Sequence, residues 1–165
     1  MNLTLALRPI NTQDKEFLSG LYATTRAEEM ALVDWSQAEK EAFLRMQFEA
    51  QHKFYQEQFI RAQFQIIQIG EEPIGRLYVD RREDEIRLID IALLPEHRNQ
   101  GIGGKLLAGL LNEATHAGKP IRIHVETFNP AMRLYQRLGF HPIDDKGVYQ
   151  FMEWSPNRRC KPSGQ

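Results

Sequence analysis

The chain is short of cysteine. Its one cysteine, Cys160, stands in a polar stretch, so neither a disulfide framework nor a cysteine metal site can form within one copy. Excess charge is also lacking. Twenty-one basic residues meet 22 acidic ones for a formal net charge of −1. No global basic field therefore recruits nucleic acid or an anionic membrane. No apolar run approaches the length that crosses a bilayer, and Met1-Asn2-Leu3-Thr4 lacks a signal-peptide profile. The expectation is a cytoplasmic protein. Internal repeats and interior low-complexity linkers are missing too. The 165 residues suffice for one domain with a real core and not for two comfortable ones. We place that domain at residues 1–156, followed by a flexible polar tail at 157–165.

What is present is a glycine loop between a strand and a helix. The apolar run Leu88 to Leu94 stops at Pro95. A polar turn, Glu96-His97-Arg98-Asn99-Gln100, leads through Gly101-Ile102-Gly103-Gly104 into the helical pattern of Lys105-Leu106-Leu107. A helix start exposes unpaired N–H groups and the positive end of the helix dipole, and glycines let a phosphate come close. Three phosphate-loop patterns compete. A P-loop, G-x-x-x-x-G-K-S/T, fails because Asn99 stands at its first glycine and Leu106 follows Gly104-Lys105. A dinucleotide fingerprint, G-x-G-x-x-G, keeps Gly101 and Gly103 but loses its third glycine to Leu106, and the loop lies past mid-chain. The third pattern, R/Q-x-x-G-x-G/A, is met at every position by Arg98 to Gly103.

A second motif follows about thirty residues on, at Asn129-Pro130-Ala131-Met132-Arg133-Leu134-Tyr135-Gln136-Arg137-Leu138-Gly139-Phe140. Asn129 is a good helix N-cap and Pro130 fits the first helical position. Ala131, Leu134, Tyr135 and Leu138 make one apolar stripe, and Gly139 suits a helix end. With a strand between them, the two motifs resemble the two signatures of the GNAT N-acetyltransferase superfamily, over about residues 70–155.

The rest of the chain reads as elements around these motifs. Leu5 to Pro9 is a strand, and a helix capped by Asn11 or Thr12 runs to about Arg26 with Phe17, Leu18, Leu21 and Tyr22 on one face. Ser36 and Glu39 form a capping box for a helix to about Phe59 that carries Phe43, Leu44, Met46, Phe48, Phe54 and Tyr55. Phe64–Ile69 and Ile74–Arg81 flank a turn at residues 70–73, and Glu85–Leu94 feeds the glycine loop. A helix from Gly101 to His116, a strand from Ile121 to Glu126, a helix from Pro130 to Leu138 and a strand from Val148 to Trp154 complete the order β-α-α-β-β-β-α-β-α-β. This is α/β. The resemblance implies a GNAT-like fold: a mixed, mostly antiparallel sheet of six to seven strands, about four helices, and splayed strands that make an acetyl-CoA cleft.

The resemblance also implies the chemistry, transfer of an acetyl group from acetyl-CoA to an amine by direct attack in a ternary complex, without a metal. Backbone N–H groups of Gln100, Gly101, Ile102, Gly103 and Gly104, assisted by Arg98, suit the pyrophosphate, and Asn99 and Lys105 are counted with the cofactor-binding loop. Ile91, Ala92 and Leu93 would pair with the peptide-like pantetheine arm, and an N–H near Leu93 would meet the thioester oxygen. Tyr135 matches the family tyrosine that protonates the departing thiolate; its periodicity equally fits a core aromatic. Asn129 can cap a helix, touch the cofactor, or do both. His124 and Glu126 fall on one strand face. His124 suits a general base and also a packed strand histidine; Glu126 suits a cationic acceptor and also a solvated strand end. Asp90 is a third proton-relay candidate, or a charge beside a strand irregularity.

The acceptor side is expected in the first two helices and residues 28–35, where Glu28, Glu29 and Asp34 accompany Met30, Leu32 and Trp35. A cationic small molecule or peptide amine fits these charges; so does a plain helix connection. Aromatics Phe43, Phe48, Phe54 and Tyr55 suit the core first, and a substrate cage second. Two other readings share the loop: a non-catalytic acetyl-CoA sensor, and a transferase for longer acyl-CoA. Exposed strand edges permit a homodimer.

Overall fold

The computed structural model describes residues 4–156. The tail at 157–165, with Cys160, lies outside the described residues. Among the described residues, seven strands form one mostly antiparallel sheet in the order β1-β2-β3-β4-β5-β7-β6, and five α-helices accompany it. The strands are β1 (Leu5–Pro9), β2 (Gln63–Ile69), β3 (Glu72–Arg81), β4 (Ile86–Leu93), β5 (Ile121–Glu126), β6 (His141–Asp145) and β7 (Tyr149–Trp154). The helices are α1 (Lys15–Thr25), α2 (Ala27–Ala31), α3 (Gln37–Gln58), α4 (Ile102–Ala117) and α5 (Met132–Leu138). The chain divides into two compact units, Met1–Tyr78 with Ile91–Arg98, and Val79–Asp90 with Asn99–Gln165. The division falls inside β3 and β4.

In the first unit, β1 pairs antiparallel with β2 from Leu5–Ile69 to Pro9–Gln65. The α1 stripe delivers Leu18 and Tyr22 to a cluster with Phe48 of α3 and Ile66 of β2. Asn11 caps a 3-10 turn at Thr12–Asp14 through a capping box with Asp14. Asp14 is buried, and both its oxygens accept bonds of 2.8 Å from Arg8. The Ser36–Glu39 box opens α3 as the sequence implies.

Other parts of α3 depart from expectation. Phe48 is its one fully buried residue, while Met46 and Phe54 are 58% and 54% exposed. An apolar residue every third or fourth position guarantees a face, but not a partner for the whole width of a long helix. Residues 28–35, read as a connection between helices, begin in α2 (Ala27–Ala31).

In the second unit, α4 buries Leu107, Leu110, Leu111 and Ala114. β4 meets β5 in a short parallel pairing, Ile86–Ile121 and Arg87–Arg122. β5 pairs antiparallel with β7 along its whole length, from Ile121–Trp154 to Glu126–Tyr149. β6 is the strand the sequence order lacked; it follows Gly139 and Phe140 and pairs back on β7.

Candidate active site

The site residues named from sequence fall in both units. In the first, the end of β4 is shaped by Gly75 of β3. A Cβ on Gly75 would overlap the carbonyl oxygen of Ala92 and stand 2.9 Å from Leu93 Cδ2. Only glycine admits β4 this closely. Leu94 N–H then donates to Ile74 O at 2.8 Å, and the chain turns into a 3-10 segment at Pro95–His97. Arg98 Nε donates to the Leu93 carbonyl at 2.9 Å and Nη2 to Thr24 Oγ1 at 3.1 Å. Arg98 thus ties the strand end to the last turn of α1. Ile91 is buried, and Ala92, Leu93 and Arg98 are half-buried.

In the second unit the glycine loop enters α4. Asn99 has φ +60° and Gly101 φ +84°, so two turns through the left-handed region bring successive N–H groups to the helix start. Asn99 is the one non-glycine residue with positive φ among the described residues. Asparagine tolerates that conformation better than most side chains. No side chain caps α4, and its first turn carries no acidic residue. The orphan N–H groups of this 16-residue helix therefore meet no competing carboxylate from their own turn. Gly104 lies against α5, with Leu134 Cδ1 3.8 Å from where its Cβ would be. Asn99, Gln100, Gly101 and Lys105 are exposed.

Asn129 does cap the turn that precedes α5. Its Oδ1 accepts from Ala131 N–H at 2.8 Å and its carbonyl from Met132 N–H at 3.0 Å. The helix itself begins at Met132, two residues later than Pro130 suggests. Tyr135 is fully buried, edge-on to Phe140 at 5.7 Å. Asp90 is half-buried on β4.

His124 and Glu126 share one face of β5, as alternation requires, and β7 supplies their neighbours. His124 stacks on Phe151, its register partner, with ring centroids 4.3 Å apart and planes 14° from parallel. The Arg87 guanidinium lies 5.1 Å from the same Phe151 ring. Glu85 holds Arg87 through both oxygens, at 2.9 and 3.2 Å. Arg122 donates to Glu153 at 2.8 Å and approaches Glu85 at 3.6 Å. Partial burial lowers the His124 pKa, and the positive charges of Arg87 and Lys146 lower it further; Glu85 and Asp144 pull the other way. The residue remains exposed, and the lowered pKa favours its neutral imidazole.

Sequence reasoning missed Gly75, Thr24, Arg87 and Phe151. A lone glycine inside the strand segment Ile74–Val79 was the available sign of a close backbone approach. Phe151 had no such sign, because its closeness to His124 depends on strand register.

The sequence model of the Acetyltransferase (GNAT) family matches residues 26–140, well over half of the chain, and the chain belongs to that family. Membership supports an acyltransferase. No curated protein matches in sequence. Among solved structures, the PaiA N-acetyltransferase of Thermoplasma acidophilum in complex with coenzyme A is similar at 19% identity and TM-score 0.68, over 93% of this chain and 99% of that one. An acetyltransferase of Thermus thermophilus is similar at 18% identity and TM-score 0.66, over 93% and 98%. YncA of Salmonella typhimurium, solved with its cofactor acetyl-CoA, is similar at 20% identity and TM-score 0.56, over 98% and 99%. At these identities the likeness concerns the fold. No helix among the described residues is long and apolar enough to cross a membrane.

Proposed function

We propose that this chain transfers the acetyl group of acetyl-CoA to a primary amine by direct attack. The observation that carries this reading is the start of α4: left-handed turns at Asn99 and Gly101, no side-chain cap, and no acidic residue in the first turn. That is a fit for a pyrophosphate. Complexes of similar folds with coenzyme A and acetyl-CoA support the choice of ligand.

In this reading the N–H groups of residues 99–104 and the Lys105 charge hold the pyrophosphate. Arg98, committed to Leu93 and Thr24, anchors the loop root and adds positive potential. Backbone groups at Ile91, Ala92 and Leu93 align the pantetheine arm, and an N–H near Leu93 meets the oxygen that becomes negative. The amine nitrogen attacks the thioester carbon; a C–N bond forms, the C–S bond breaks, and the thiolate leaves. His124 takes the ammonium proton that must be lost before attack. Tyr135 gives a proton to the thiolate and is restored by the second proton, which the nitrogen sheds as the amide forms; Asn129 shapes the turn that leads into α5. Holding both substrates in reacting geometry supplies up to roughly 7–11 kcal/mol, so modest side-chain catalysis suffices.

We infer that residues 1–156 act as one catalytic domain. The family match runs through residues 26–140 without a break, and each compact unit is discontinuous in sequence. The test is product analysis with acetyl-CoA and primary amines. Free thiol and acetylated amine appear in equal amounts; acetyl-CoA binding without amine-dependent thiol release would refute the reading and favour a sensor.

A further inference from the structure

Glu126 stands apart from the other carboxylates on its part of the sheet. Glu85 is taken by Arg87, Glu153 by Arg122, and Asp144 lies 3.7 Å from Lys146. The half-buried Glu126 carboxylate makes no hydrogen bond or ion pair among the described residues. Its register partner on the same face is Tyr149, beside the His124–Phe151 pair.

An apolar ledge continues from this point. Phe128 is 84% exposed, Val148 63% and Tyr149 47%. These are neighbours held in place, not frayed ends. Thr127 N–H donates to Val148 O at 2.8 Å, and Thr127 Oγ1 to Gly147 O at 2.9 Å. Lys146 N–H donates to Tyr149 O at 2.9 Å. Single exposed apolar side chains are ordinary; three on the two segments that Thr127 fastens together, beside an unpaired carboxylate, mark a binding surface.

Resting on the proposed acetyl transfer, we propose that the acceptor is a monoamine with an aromatic or branched aliphatic body, its ammonium at Glu126 and its body along Tyr149, Val148 and Phe128. One free carboxylate matches one ammonium. Glu85, Glu153 and Asp144 already face Arg87, Arg122 and Lys146, so among these carboxylates only Glu126 is left for an ammonium and none for a second one, which disfavours polyamines. His124, two residues from Glu126 on the same face, is placed to take the proton of an amine held there.

The test compares kcat/KM for phenethylamine, isoamylamine, spermidine and a lysine peptide on the whole protein. The two apolar monoamines exceed the others by about tenfold or more. Val148→Ser and Tyr149→Ser each raise the amine KM roughly tenfold, as the loss of a buried apolar contact implies. Glu126→Gln raises it similarly and leaves the acetyl-CoA KM in place. Preference for spermidine or the peptide overturns the proposal while leaving acetyl transfer standing. Absence of any acetylated amine overturns acetyl transfer itself. Dimerisation of the wild type that Tyr149→Ser abolishes, with amine KM unchanged, would assign the ledge to a second copy and overturn the proposal.

Discussion

Gly75 and Ala92 stand so close that no side chain fits between them: a Cβ on Gly75 would overlap the Ala92 carbonyl oxygen. The close approach sets the path of β4 just where Leu93 gives its carbonyl to Arg98. Gly75→Ala therefore displaces Ala92 and Leu93. We expect a stability loss of about 1–3 kcal/mol from overpacking, together with weakened acetyl-CoA binding. Denaturant unfolding and calorimetry check this; unchanged affinity would detach Gly75 from the site.

Arg8 and Asp14 give a pH prediction. Bonds from Arg8, joined by the Asn11 N–H, outweigh burial and hold the Asp14 carboxyl below the usual carboxylate range. Below the ordinary Asp value, near pH 4, the unfolded chain takes up this proton before the folded one does. The stability Asp14 contributes is thus full at neutral pH, and it is lost as pH falls through the folded value. Asp14→Asn should cost about 1–3 kcal/mol at pH 7 and less at pH 3, read from Tm against pH. A pH-independent cost would disprove the charge-based account.

His124 predicts a second dependence. Activity needs its neutral form, so kcat/KM falls on the acid side, with a midpoint below the ordinary histidine value of about 6.5. Arg87→Leu removes a positive neighbour of His124 while Arg122 still faces Glu85, and this moves the midpoint up. Arg87→Lys keeps the charge and the midpoint. A profile indifferent to Arg87→Leu would take His124 out of the base role.

These residues show what the sequence could disclose. The Ser36–Glu39 box, the caps of the first helix turn and the Arg98–Gly103 loop are local, so short-range spacing found them. The β5 boundaries were legible because Ile121–Glu126 alternates and is bracketed by Pro120 and a turn. Phe151 beside His124, Arg87 above Phe151 and Thr24 beside Arg98 are contacts between distant segments. Register and turn geometry create them, and single-sequence periodicity carries neither. β6 went unseen because His141–Asp145, with a proline and two aspartates, has little strand character; its pairing with β7 makes it a strand.

Tyr135 separates core packing from proton donation. Its ring is fully buried against Phe140, so Tyr135→Phe keeps the packing and removes only the hydroxyl. We expect kcat to fall by about 10²-fold, within the range for a lost general acid, with acetyl-CoA affinity retained. Unchanged kcat with the preferred amine would leave Tyr135 a core residue.

The central claim is that residues 99–104 form the acetyl-CoA pyrophosphate site, and acetyl-CoA titration of wild type and Gly103→Glu tests it most directly. A glutamate in the first turn of α4 favours the helix dipole, so the variant should stay folded with Tm unchanged or higher. The same charge repels a pyrophosphate. The account predicts calorimetric binding to wild type and none to the folded variant; equal affinity in both would contradict it.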